Sequence, residues 1–135
     1  MNIEPASEVN AELQYLWGEA LHRLVAHRGG APLLATLDKG RSEKDLLEHE
    51  VAHRTLWVYL DPGLQGFVLY RNQVIEGIYV ATQYRRRGVA RSLVSTLFEL
   101  SDAPTDALVL PGDRATKSLF ESFGWKARLL TMRGE

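Results

Sequence analysis

The sequence contains no cysteine, which excludes disulfides, thiolate nucleophiles and cysteine-ligated metal sites. It also lacks any apolar run of about 18 residues and any secretory leader pattern, so a soluble, cytoplasmic protein without a membrane partner is the expectation. Charge of one sign is missing too: 16 Lys and Arg stand against 17 Asp and Glu, a formal net charge of −1. Such a balance gives no bulk attraction for nucleic acid or anionic surfaces, and no nucleic-acid partner is expected. Internal repeats and low-complexity segments are absent. What is there is 135 residues, 45% hydrophobic and 24% charged, the proportions of one ordinary globular domain over 1–135.

The basic residues are not spread evenly. Arg85, Arg86, Arg87 and Arg91 crowd around Gly88, at the point where the hydrophobic period changes. Before this point residues 74–80 alternate at the period of a strand, with Val74, Glu76, Ile78 and Val80 on one face. After it Val89, Leu93, Val94, Leu97, Phe98 and Leu100 recur at helical spacing over 88–101. The arginine-glycine turn is therefore a helix N-terminus, with about four unpartnered N–H groups and a partial positive charge. Gly88 has no Cβ to keep a ligand away, and the arginines add full charges, so the turn reads as a phosphate cradle. It is not a Walker A loop, because no Gly-Lys-Ser/Thr follows. Taken alone, such a charge run also fits a solvated helix cap.

The other elements follow from pattern and punctuation. Residues 1–7 suit a short edge strand limited by Pro5. Leu13, Leu16, Trp17, Ala20, Leu21, Leu24 and Val25 define an amphipathic helix ending at Gly29-Gly30. Residues 31–37 are apolar but too short for periodicity to choose between helix and strand. Ser42 and Asp45 cap a helix over 43–53. Runs at 55–60, 64–70 and 73–80, separated by Asp61-Pro62-Gly63 and Arg71-Asn72-Gln73, predict an antiparallel meander. A buried strand at 107–110, a helix from its cap Asp113 to Phe123, and a final strand over 125–132 complete the order. The fold class is mixed α/β: one central sheet, mostly antiparallel, flanked by helices.

Arg85-x-x-Gly88-x-Ala90 after a strand resembles the Arg/Gln-x-x-Gly-x-Gly/Ala signature of the GNAT superfamily of N-acetyltransferases. A second block, Asp113-Arg114-Ala115-Thr116-Lys117-Ser118-Leu119-Phe120-Glu121-Ser122-Phe123-Gly124-Trp125, is similar to the family's Asn-x-x-Ala-x-x-x-Tyr-x-x-x-Gly-Phe. The resemblance covers about residues 54–132 and implies acetyl-CoA as co-substrate. It implies further that Ile78, Tyr79 and Val80 contact the pantetheine arm, and that the loop of Arg85, Arg86, Arg87, Gly88, Val89, Ala90 and Arg91 holds the pyrophosphate. Asp113 stands where the family often has Asn, and its carboxylate accepts hydrogen bonds without donating any. Phe120 falls in the cofactor-contacting stretch, at the position of the family's Tyr, the general acid for the leaving thiolate. It has no proton to give.

Loss of a general acid typically costs roughly 10²–10⁴ in rate, while a thiol of pKa about 8.5 leaves readily enough at neutral pH. Tyr79, Tyr84 or water are the substitutes, and Tyr84 is the candidate acid. Glu76 is the candidate general base: among the apolar residues of its strand face its charged form is disfavoured, which favours proton acceptance near neutrality. Its alternative is a surface glutamate at a sheet position, facing solvent or paired with an arginine. Phe120 reads equally as a core residue beside Phe123 and Trp125.

One further motif competes. His49-Glu50-Val51-Ala52-His53 is a literal His-Glu-x-x-His, in which two helical histidines and a glutamate base could serve a zinc peptidase. No histidine follows His53, which leaves Asp61 or Glu76 as third ligand, and no metal is expected. His22 and His27 are out of ligand register. The reading is thus an acyl-CoA-dependent N-acetyltransferase acting on a primary amine by direct attack in a ternary complex. Its alternatives are a non-catalytic acetyl-CoA sensor or interaction module and, more remotely, the zinc peptidase. The acceptor and the oligomeric state stay open, a homodimer being common in the family.

Overall fold

In the computed structural model, which describes residues 1–132 and Gly134, a five-stranded sheet carries the chain order β1-β2-β3-β4-β5. β1 (Asn2–Pro5), β2 (Leu56–Leu60), β3 (Leu64–Arg71) and β4 (Val74–Val80) pair antiparallel, and β5 (Asp106–Ala107) lies parallel to β4. The expected meander is thus present, its turns made where Pro62 and Asn72 interrupt the apolar runs. The first of these turns contains a cis Asp61-Pro62 bond.

Three helices precede the meander: α1 (Ala11–Ala26), α2 (Gly30–Asp38) and α3 (Glu43–Ala52). Asn10 caps α1 through Leu13 N–H at 2.8 Å, and Ser42 caps α3 through Asp45 N–H at 3.2 Å. Residues 31–37, undecided by periodicity, are helical. Gly30 permits this, because a Cβ there would lie 1.8 Å from the Leu24 carbonyl oxygen. Leu13, Leu16, Trp17 and Leu21 of α1, with Leu46 and Leu47 of α3, pack on Leu56, Val58, Phe67 and Leu69 of the sheet.

The opposite sheet face is covered by α4 (Val89–Phe98) and α5 (Arg114–Glu121). Val89, Leu93, Val94 and Leu97 are buried against Val68, Tyr70 and Ile75. No helix of the described residues is long and apolar enough to cross a membrane.

Three expectations need correction. The strand expected at 107–110 pairs at only two positions, Val74↔Asp106 and Ile75↔Ala107. The strand expected over 125–132 does not form. Trp125 folds back to stack on Phe120 at 5.5 Å, while Leu129 and Leu130 are exposed. A two-residue β5 offers too short a ladder for a further strand to extend. Finally, Glu76 does not share a face with Ile78 and Val80. The β3–β4 register shifts so that Leu69 opposes Gly77 and Tyr70 opposes Ile75, leaving Glu76 as the extra residue of a bulge.

Candidate active site

The short pairing of β5 opens the sheet. The last bond between the two parallel strands is Leu108 N–H to Ile75 O at 2.9 Å. From Gly77 to Val80, β4 is bonded to β3 on one side only among the described residues. Ala81 N–H reaches back to Gln65 O, so by strand alternation the N–H groups of Ile78 and Val80 point into the opening. Beneath it lies a cavity of about 570 Å³. One end meets the basic turn and α5; the other runs beneath α1 and α2 and reaches α3.

At the first end Gly88 is the N-cap of α4, at φ +80°, and a Cβ there would meet nothing within 4 Å. The first helical bond is Ser92 N–H to Gly88 O, which leaves the N–H groups of Val89, Ala90 and Arg91 free of intrahelical partners. Gly88 has no side chain to cap them. Arg86 stands at φ +63°, a left-handed conformation that costs about 1–2 kcal/mol for a residue with a Cβ. The turn thereby separates its arginines. Arg86 and Arg91 line the cavity, with Gly88, Val89 and Ala90. Arg85 lines it too, but its Nε donates to Val80 O at 3.1 Å and its guanidinium lies 5.3 Å from the Tyr79 ring centre. Arg87 is outside the lining and leans on the Tyr84 ring at 5.8 Å. Its guanidinium thus lies against the Thr82–Tyr84 turn.

Ile78, Tyr79, Val80 and Tyr84 all line the cavity, as does Asp113. Asp113 is committed to α5: its Oδ1 accepts Thr116 N–H at 3.2 Å and its Oδ2 accepts the Thr116 hydroxyl at 2.8 Å. Phe120, expected at the cofactor, is 4% exposed and lies outside the lining. Its side of α5 faces the core, where Trp125 stacks on it and Leu93 and Leu97 pack around it.

Glu76 lines the cavity in a setting the strand pattern did not foresee. Arg71 grips its carboxylate with two bonds, Nε–Oε1 at 2.6 Å and Nη2–Oε2 at 3.2 Å. The same guanidinium reaches Glu50 through Nη1 at 3.0 Å, and Glu50, 1% exposed, also accepts the Thr55 hydroxyl. Hydrogen bonding to Glu76 above all, with the charges of Glu50 and Glu76, holds the Arg71 pKa above its ordinary value against the opposing effect of burial. The arginine-paired alternative for Glu76 describes this geometry.

Glu50 accordingly turns away from the two histidines of its motif. His49 and His53 stack at the outer side of α3 with ring centres 4.0 Å apart, and His53 Nδ1 bonds His49 O at 2.8 Å. Burial above all, with the nearby Arg41 and His53, keeps His49 below its ordinary pKa. Among the described residues no three His, Asp or Glu side chains gather in a metal-holding group. The geometry gives the zinc reading no support.

Trp17, Leu21, Leu24, Leu34, Leu37, Leu46, Phe67 and Leu69 form the wall of the second end. The helices before the sheet, which supply most of this wall, carry no sequence motif. These residues carry the ordinary signal of core leucines, which does not distinguish a cavity wall from a filled interior.

The fit to an acyl thioester of coenzyme A rests on three features of this chain. They are the open glycine-capped helix end with Arg86 and Arg91 beside it, the unpaired edge of β4, and the apolar chamber beyond. Comparison with known proteins agrees. The family described as acetyltransferase (GNAT) domain matches residues 19–131. A tetramutant of the BH1408 protein from Bacillus halodurans superposes with a TM-score of 0.73 at 16% identity, covering 100% of this chain and 99% of that one. An N-acetyltransferase from Staphylococcus aureus Mu50 gives 0.66 at 14% identity, covering 95% and 92%. The aminoglycoside N-acetyltransferase AAC(6')-Iy, in complex with CoA, gives 0.56 at 17% identity, covering 98% and 93%. Curated protein sequences include no match. These likenesses show the fold, and acetyl-CoA as co-substrate fits the family. With the family match extending from within α1 to beyond α5, the chain belongs to the GNAT acetyltransferases.

Proposed function

We propose that residues 1–135 work as one acetyltransferase domain, moving an acetyl group from acetyl-CoA to a primary amine of a small molecule, peptide or protein. The observation that carries this reading is the continuity of the cavity, which joins an anion cradle to an apolar chamber past an open strand edge. Bound there, acetyl-CoA supplies an activated acyl thioester. The free N–H groups of Val89, Ala90 and Arg91, with the Arg86 guanidinium, suit its pyrophosphate, while the Arg91 guanidinium is held by Ser122 Oγ at 2.6 Å over the Phe123 ring. The outward N–H groups of Ile78 and Val80 suit strand-like bonding to the pantetheine arm, with Tyr79 alongside. Arg85 braces Val80 and Tyr79, and so positions the strand edge.

The amine attacks directly within a complex holding both substrates, since no cysteine exists to carry an acyl group. Its nitrogen bonds to the acetyl carbon as the carbon–sulfur bond breaks. Glu76 accepts the proton that the nitrogen sheds, and Tyr84 is the candidate donor to the leaving sulfur. Phe120 takes no part in proton transfer. The cytoplasm, reducing toward thiols, is the proposed compartment.

The test is calorimetric titration of acetyl-CoA into the wild type and into Gly88→Glu, whose side chain and charge would fill the cradle. Micromolar binding lost in the variant supports the reading, and no binding to the wild type overturns it. The hydroxyl-free position 120 favours a second reading, an acetyl-CoA sensor without turnover. Binding with no free thiol released across a broad amine panel would select it.

A further inference from the structure

We infer that the acceptor is a primary amine borne on an uncharged apolar body, alkyl or aryl, with its nitrogen drawn to Glu76. This rests on the acetyltransferase reading and names the substrate class for it. The cavity divides by chemistry. Its anion-binding half holds Arg85, Arg86 and Arg91 with the α5 cap Asp113. Arg23 and His27, at the end of α1, line the cavity too. Arg23 is exposed and His27 half-buried, so both stand at its mouth rather than in the buried wall.

The chamber itself is Trp17, Leu21, Leu37, Leu46, Phe67 and Leu69, all buried, with Trp17 and Phe67 rings 5.5 Å apart. None of these six buried residues carries a charge, and the carboxylate that lines the cavity from the neighbouring strand is Glu76. An acceptor carrying a carboxylate, a phosphate or several ammonium groups would have to leave those charges unpaired against leucine, at a heavy desolvation penalty. A single ammonium has a partner. Glu76, Glu50 and Arg71 form a group with one negative charge in excess; Arg71 bonds both carboxylates, and of the two it is Glu76 that lines the cavity. The surplus faces the cavity at Glu76, where it attracts a lone cation and then receives its proton.

The experiment measures free CoA thiol released from acetyl-CoA by the full chain with hexylamine, phenethylamine, methylamine, glutamate and spermidine, alongside calorimetry of acetyl-CoA. Hexylamine and phenethylamine are expected to give kcat/KM at least ~10-fold above the other three. In Leu34→Asn that advantage over methylamine should shrink several-fold, and in Glu76→Gln kcat/KM for both apolar amines should fall ~100-fold with acetyl-CoA affinity unchanged. Preference for glutamate or spermidine overturns the inference, as does acetyl-CoA binding without turnover of either apolar amine. Failure of acetyl-CoA to bind would instead strike the underlying acetyltransferase reading.

Discussion

Arg71 holds Glu76 by two parallel bonds of 2.6 and 3.2 Å while its remaining nitrogen reaches Glu50 on α3. One guanidinium thereby ties a helix to the edge strand of the cavity and sets the carboxylate that faces it. Planar, forked Arg suits this double grip where the point charge of Lys does not.

Arg71→Ala should lower stability by about 3–5 kcal/mol, because it strands the buried Glu50 carboxylate without its cation. Glu50→Gln combined with Arg71→Ala should recover part of that loss. Urea denaturation of the two variants checks it, and equal midpoints would show that the uncompensated charge is not the cause.

Replacing Gly30 by Ala should destabilise the chain by more than the usual helix preference for alanine could return. The added Cβ would stand 1.8 Å from Leu24 O and 2.6 Å from its carbon, backbone atoms that move only if α1 and α2 part. Thermal melting is the measurement. A midpoint at or above the wild-type value would mean that the turn relaxes freely.

The Asp113 cap should matter to the helix more than to the cofactor. Asp113→Ala removes two bonds to Thr116 and is expected to cost about 1 kcal/mol of stability. Asp113→Asn keeps an acceptor for the Thr116 N–H and should cost less. If acetyl-CoA affinity falls more than tenfold in the Asn variant, the carboxylate itself contacts the cofactor.

Tyr70 predicts the alkaline limit of stability. Burial first, and the nearby Asp102 second, raise its pKa above the ordinary 10.0, and its hydroxyl donates to Asp102 O. A phenol whose folded pKa is raised contributes stability that is full below about pH 10, where the unfolded chain begins to ionise. That contribution is lost as pH rises through the folded value. Denaturation midpoints should therefore fall above about pH 10 in the wild type, and less steeply in Tyr70→Phe.

The strand, basic turn and helix around Gly88 were legible because local chemistry decides them: period two becomes 3.6 across a glycine among arginines. The caps Ser42 and Asp113 and the meander turns are equally local, and all of them stand in the structure. The neighbours of Glu76 were not legible. Alternation assigned it an apolar face, but a bulge removes it from that face, and its partners Arg71 and Glu50 come from β3 and α3.

Likewise Glu50 sits in a His-Glu-x-x-His string whose meaning depends on which side of α3 faces the sheet. Phe120 is decided by the same kind of fact, since the packing of α5 turns it onto Trp125. By itself the sequence determined where α1, α3, α4, α5 and the hairpins begin, what family it resembles and where the basic turn sits, because these depend on neighbours along the chain. The tertiary structure alone decided how far β5 pairs, which arginines line the cavity and which carboxylate Arg71 holds beside it. Those outcomes depend on contacts between elements far apart in sequence, where packing and charge pairing compete and no local period records the winner.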